Sequence, residues 1–131
     1  MIRIVMILAI DWGKKRMGCA RADARARLPE PFGSFVHDDD IFQQIRSTVK
    51  AQQVGIIVVG LPRNMSGEET RQSREVRRFV AELKNQLQCP IVLQDETLTS
   101  HYTGELRQRF PHADTDSLAA TLILGDYLQS I

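Results

Sequence analysis

The sequence predicts an α/β fold: a mixed five-stranded sheet whose first three strands are antiparallel and the rest parallel, with helices on both faces. Three observations carry this reading. Two unbroken aliphatic runs, at 4–10 and 54–60, have the composition of strands covered on both sides. After residue 36, strand and helix patterns alternate, which requires crossover helices and parallel strands. Before that point three extended stretches follow one another without a helix between them, which calls for an antiparallel portion. The 131 residues suffice for one domain, spanning 1–131.

The elements follow in order. Ile4–Ile10 is the first strand and ends at Asp11. Met17–Ala22 is a second short run, entered through Gly18. Pro29–Val36 is a third, and its Pro29, Pro31 and Gly33 favour an edge position. Asp38, Asp39 and Asp40 then precede Ile41, Phe42, Ile45 and Val49 at helical spacing, where acids complement the helix dipole. Val54–Gly60 closes on Gly60-Leu61-Pro62, a breaker cluster. Ser66 and Glu69 read as a capping box that opens the next helix, with Val76, Phe79, Val80, Leu83 and Leu87 along one side and Arg71, Arg74 and Arg78 along another. Pro90–Gln94 is the fifth strand, stopped by Asp95-Glu96. A helix from about Thr99 carries Tyr102, Leu106 and Phe110 and stops at Pro111. The last helix starts near Asp114 or Thr115 and packs Leu118, Ala119, Leu122, Ile123 and Leu128.

Composition narrows the function classes. Two cysteines, Cys19 and Cys89, lack metal-type spacing and read as free thiols in a reducing compartment. The apolar opening is far shorter than the roughly 20 residues a membrane span needs, and it has no cleavage-site pattern. The expectation is a cytoplasmic protein without a membrane partner. Net charge is +1, but residues 1–27 hold seven cations against Asp11 and Asp23. A basic end on a near-neutral chain suits a polyanionic ligand and equally a solvated face.

Sites in open α/β sheets form outside the carboxyl ends of parallel strands. Asp11, the Gly60 loop and Asp95-Glu96 all fall there, and Asp116 lies in the first turn of the last helix. A carboxylate at a buried strand tip is costly unless a positive charge meets it. Several converging carboxylates select a hard divalent cation, Mg²⁺ or Mn²⁺, of the kind that promotes phosphoryl displacement. Lys14, Lys15 and Arg16 would then face substrate phosphates. Each acid also has an ordinary alternative: a turn hydrogen bond for Asp11, a surface ion pair for Glu96, a helix N-terminal acid for Asp116.

Five blocks in order carry a family resemblance: AIDWGKKRMG at 9–18, IIVVGLPRNMSG at 56–67, VRRFVAEL at 76–83, LQDETLTS at 93–100 and DSLAATLIL at 116–124. Over about Met6 to Leu128 the chain resembles the YqgF/RuvX family, pre-16S rRNA nucleases with an RNase H-like fold, related to RuvC Holliday junction resolvases. The resemblance implies a metal-dependent phosphodiesterase that acts on structured RNA and matures the 5′ end of 16S rRNA. It implies Asp11, Glu96 and Asp116 as catalytic residues. Together with Asp95 they would be ligands of one or two Mg²⁺ or Mn²⁺ ions. Lys14, Lys15, Arg16, Arg63, Asn64 and Thr99 are the candidate substrate contacts, and Gly60-Leu61-Pro62 a wall of the cleft. Three departures stand out: Thr97 where the family usually has arginine, Ala22-Asp23-Ala24-Arg25 in place of its usual Ser-Asp-glycine turn, and a short PHADT stretch before Asp116.

The expected partner is nucleic acid, pre-rRNA with or without a ribosomal particle, bound by a monomer or weak homodimer. A resolvase acting on DNA junctions and a non-catalytic nucleic-acid-binding protein are the rival readings. Asp11-Trp12-Gly13 also looks like the phosphate loop of actin-like kinases, but those enzymes need a second domain for which this length leaves no room.

Overall fold

Alternating side chains along five strands divide the apolar residues between two cores. The computed structural model of the chain describes residues 5–96, the backbone from 101 to 131 and the side chains from 104 onward. The strands are β1 (Met6–Asp11), β2 (Arg16–Asp23), β3 (Glu30–Val36), β4 (Val54–Leu61) and β5 (Ile91–Asp95). The helices are α1 (Ile41–Gln52), α2 (Arg71–Gln86), α3 (His101–Arg109) and α4 (Thr115–Ser130). The sheet order is β3-β2-β1-β4-β5. β1 pairs antiparallel with β2, and β2 antiparallel with β3, while β4 runs parallel to both β1 and β5. This is the mixed sheet the sequence predicts, with β3 at an edge.

One sheet face carries Leu8, Ile10, Met17, Cys19, Ile57, Val59, Leu61 and Ile91, packed against Ile45 of α1 and Val76, Phe79, Val80 and Leu83 of α2. The other carries Ile7, Ala9, Ala20, Ala22 and Val58 under Ala120, Ile123, Leu124 and Leu128 of α4. Alanines on this second face let α4 lie close to β1 and β2. Each buried Leu, Ile or Phe side chain contributes roughly 1.5–3 kcal/mol, so burial on both faces holds the helices against the sheet. Among the described residues no helix is long and apolar enough to cross a membrane. Cys19 is buried and Cys89 half-buried, both as free thiols, and burial pushes the Cys19 thiol up to about 12.

The sequence reading needs correction at the ends of elements. Ser66 and Glu69 do not open α2. Thr70 is the N-cap: its hydroxyl accepts from the Ser73 amide at 3.2 Å, and the Ser73 hydroxyl accepts from the Thr70 amide at 2.5 Å. The segment before it is a closed loop instead. The Asn64 side chain accepts from the Ser66 and Glu68 amides, and the backbone at Arg63 forms an isolated antiparallel bridge with that at Glu69. At α1 the N-cap is Asp40, yet the Asp38 carboxylate makes the local bonds, accepting from the Asp40 amide at 3.0 Å and from Gln44 at 3.3 Å. β4 runs one residue beyond Gly60, and Ile4 and Thr99 lie outside the described residues. Ala119 and Leu122 are half-buried rather than in the core of α4.

Thr70→Ala removes one half of a reciprocal cap and should cost about 1 kcal/mol in urea denaturation. Ser66→Ala, outside the helix, should change stability by less than about 0.5 kcal/mol.

Candidate active site

The two-residue period of a strand decides which acids can meet. Ile7 and Ala9 face α4, so Asp11 does too. Val92 faces α4, which puts Gln94 and then Glu96 on that side; Ile91 and Leu93 face α1 and α2, which puts Asp95 on the other. The Glu96 amide donates to the Leu61 carbonyl at 3.0 Å, extending the β4–β5 ladder by one step and aiming the side chain back over β4.

Two glycines make room for the convergence. A methyl group on Gly60 would lie 2.5 Å from Glu96 Oε1 and 2.5 Å from Ile123 Cδ1. Glu96 therefore crosses β4 only because residue 60 has no side chain. Gly18 is the ladder partner of Asp11, and a methyl group there would collide with the backbone carbonyl of Asp116. The first turn of α4 thus rests on β2 directly beside the end of β1. Asp114 caps that helix by accepting from the Ser117 amide at 3.0 Å.

Asp11 and Glu96 share a side-chain hydrogen bond. Two carboxylates can do so only when one carries a proton. Burial is the largest cause of the rise in the Asp11 pKa to about 7, followed by the charge of Glu96, the bond to it and the charge of Asp116. Burial also raises Glu96. The proton belongs to the pair rather than to either residue. Asp116 sits near enough to act on Asp11 electrostatically, while its own carboxylate meets Arg16 at 3.3 Å. Asp95 is exposed and pairs with Arg63 at 3.0 Å.

The structure thus brings Asp11, Glu96 and Asp116 to one end of the sheet and leaves Asp95 on the opposite face. Arg63 donates to Asp95 and to the Gly67 carbonyl, and Asn64 holds its own loop, so neither presents a free side chain to the cleft. Lys14 and Lys15 are exposed, and the turn carrying them is pinned by His37, whose amide donates to the Lys15 carbonyl at 2.9 Å. Ala119, Leu122, Ile123 and Asp126 of α4 line a small cavity of about 130 Å³ with Asp11 and Glu96. Asp126 is absent from the sequence reading. Its signal was present: it stands seven residues after Ala119 on the same helical stripe.

Among the described residues, no three His, Cys, Asp or Glu side chains are gathered as a ready metal cage. Arg16 draws Asp116 aside, and burial and mutual charge favour a proton on the Asp11–Glu96 pair. The donor set nonetheless suits a hard divalent cation: oxygen ligands only, partly withdrawn from water, with a shared proton that a cation can replace.

The chain matches the family model RuvX, described as Holliday junction resolvase, over residues 5–130. It is 36% identical over 133 aligned residues to a protein of Chloroflexus aurantiacus named "Putative pre-16S rRNA nuclease", covering 95% of this chain and 87% of that one. A protein of the same name from Orientia tsutsugamushi is 34% identical, with 94% and 83% covered. Among solved structures, Thermus thermophilus RuvC superposes with a TM-score of 0.60 at 10% identity, covering 96% of each chain. The Fowlpox virus resolvase bound to Holliday junction DNA superposes with a TM-score of 0.57 at 12% identity, covering 96% of this chain and 98% of that one. At such identities these structures share the fold.

The acid pair makes a pH prediction. The native pKa of Asp11, about 7, lies above its ordinary 3.8. The stability it contributes is therefore full below pH 4 and is lost as pH rises through 7. In metal-free buffer at pH 8, Asp11→Asn should stabilise the protein by on the order of 1–2 kcal/mol. At pH 5, where the pair already shares a proton, the gain should shrink. Thermal denaturation at the two pH values measures both.

Proposed function

The chain belongs to the RuvX family, and from that membership and the paired carboxylates we propose that it is a divalent-metal-dependent nuclease that cleaves structured RNA at the 5′ end of pre-16S rRNA. The observation that carries the chemistry is the meeting of Asp11 and Glu96 over Gly60, beside Asp116. The RNA assignment is supported by relatives named for pre-16S rRNA over most of the chain. This reading places the protein in the cytoplasm, as a monomer or weak homodimer, acting on free pre-rRNA or on a ribosomal particle.

Asp11 and Glu96, joined by Asp116, would hold one or two Mg²⁺ or Mn²⁺ ions. Such ions supply a nucleophilic water at neutral pH and stabilise charge on the leaving oxygen, here giving a 5′-phosphate and a 3′-hydroxyl. The chain's own residues do the rest. Asp11 and Glu96 give up their shared proton when the cation binds. Glycine at 18 and 60 fixes the approach of Asp116 and Glu96 without an intervening side chain. Arg16 is 66% exposed while it pairs with Asp116, so it can exchange that carboxylate for a substrate phosphate. Lys14 and Lys15 directly precede it and add positive charge along the backbone path. Asp95 stands outside this ligand set and acts by holding Arg63.

The test is a cleavage panel of a precursor 16S rRNA fragment and a four-way DNA junction, with Mn²⁺, Mg²⁺ or chelator. The account predicts metal-dependent cleavage of the RNA in preference to the junction. Asp11→Asn and Glu96→Gln should each lower the rate by roughly a hundredfold or more, and Asp95→Asn should leave it within about threefold. Cleavage of the junction alone would replace this reading with that of a resolvase. Binding without cleavage in any metal would leave a nucleic-acid-binding protein.

A further inference from the structure

Trp12 directly follows Asp11, and strand parity turns its side chain the other way, toward the face covered by α1 and α2. It is partly buried: it packs on the edge of that core but is not enclosed by it. His37 braces it from one side, with ring centroids 5.7 Å apart in an edge-to-face arrangement, and His37 Nδ1 lies 2.6 Å from the Gly13 carbonyl. On its open side lies a cleft of about 300 Å³ lined by Trp12, Lys14, Arg71, Gln72 and Glu75.

A core tryptophan needs neither a cleft nor cations around it. This one has an aromatic wall, two cations and one amide. The single carboxylate of the cleft, Glu75, lies 4.0 Å from Arg71, and Lys14 makes no ion pair among the described residues. The Arg71 side chain is 84% exposed, so water screens its pairing with Glu75. An indole beside flexible cations is the combination that holds an unpaired nucleotide, the base stacked on the ring and the phosphates met by the cations. Gln72 adds an amide that can bond a base edge. Position completes the argument. Consecutive residues of one strand end place the acid pair and the indole on opposite sides of the same rim. A strand crossing the rim with its scissile phosphate at Asp11 brings a neighbouring nucleotide to Trp12.

We propose that the Trp12–Lys14–Arg71 cleft is a nucleotide subsite that stacks an unpaired base next to the scissile bond, so that the protein selects substrates with a single-stranded segment at the cut. The purpose given to this subsite rests on the nuclease reading, but its existence can be measured without cleavage.

Trp12 is the only tryptophan in the sequence, so its fluorescence reports this cleft alone. The full chain, in chelator to prevent hydrolysis, is titrated with a 12-nucleotide single-stranded RNA while fluorescence anisotropy of a labelled copy reports binding independently. The tryptophan emission should be quenched in step with binding. An RNA of the same length that is abasic throughout should bind with little quenching. Trp12→Phe should keep most of the affinity and Trp12→Ala should lose roughly tenfold. Lys14→Ala and Arg71→Ala should weaken binding and lower its salt dependence. Because Trp12→Ala also removes core contact, the emission of the unaltered protein and the Phe variant decide the matter if that variant fails to fold. Saturating anisotropy with unchanged emission, equal quenching by the abasic RNA, Trp12→Phe falling as far as Ala, or no binding at all would overturn the proposal. Normal cleavage alongside any of these results would leave the nuclease reading standing, and quenching without cleavage in any metal would do the reverse.

Discussion

Two carboxylates that repel each other in water, Asp11 and Glu96, are held together at the end of a buried strand, where burial and mutual charge favour a proton between them. Folding alone gains nothing from such a pair. It is tolerated because the sheet and α4 enclose it from several directions: Gly60 beneath Glu96, Ile123 beside it and Asp116 on Gly18 across the ladder. The same enclosure raises the affinity of the pair for any positive charge, a proton in its absence and a divalent cation when present.

Much of the architecture follows from the need to build that corner. Ala9, Ala20 and Ala22 keep the sheet face under α4 shallow, so the helix can bring its first turn down to β2. The bulkier residues, Leu8, Ile10, Met17, Ile57 and Leu83 among them, fill the opposite face. One face is thus packed for stability and the other for close approach. The period of two that sorts the hydrophobic residues also sorts the acids and their neighbours: Asp11 and Glu96 inward to α4, Trp12 and Asp95 to the other side.

The strands and most helices were legible in the sequence because their apolar runs are long and bounded by glycine, proline or acids. The start of α2 was not. Ser66-x-x-Glu69 and Thr70-x-x-Ser73 both fit a cap, and only the Asn64 loop, a tertiary closure, decides between them. The acids were found at the strand ends, but their facing requires the parity of each strand relative to α4. Applied to PIVLQDE, that parity separates Glu96 from Asp95. The ion pairs Arg16–Asp116 and Arg63–Asp95 join residues far apart in the chain, and no spacing rule announces them. Asp126 stands on an apolar helix stripe, where a lone acid resembles a solvated position until the cavity beneath it is seen.

On the proposed function, a divalent cation would take the place of the proton between Asp11 and Glu96. Crystals of the protein soaked in Mn²⁺ at pH 8 and measured for anomalous scattering test it most directly. The expected result is an anomalous peak bonded to both carboxylates, with Asp116 turned from Arg16 toward it. A peak confined to the exposed Asp38–Asp40 run, or none while the two carboxylates keep their hydrogen bond, would contradict it.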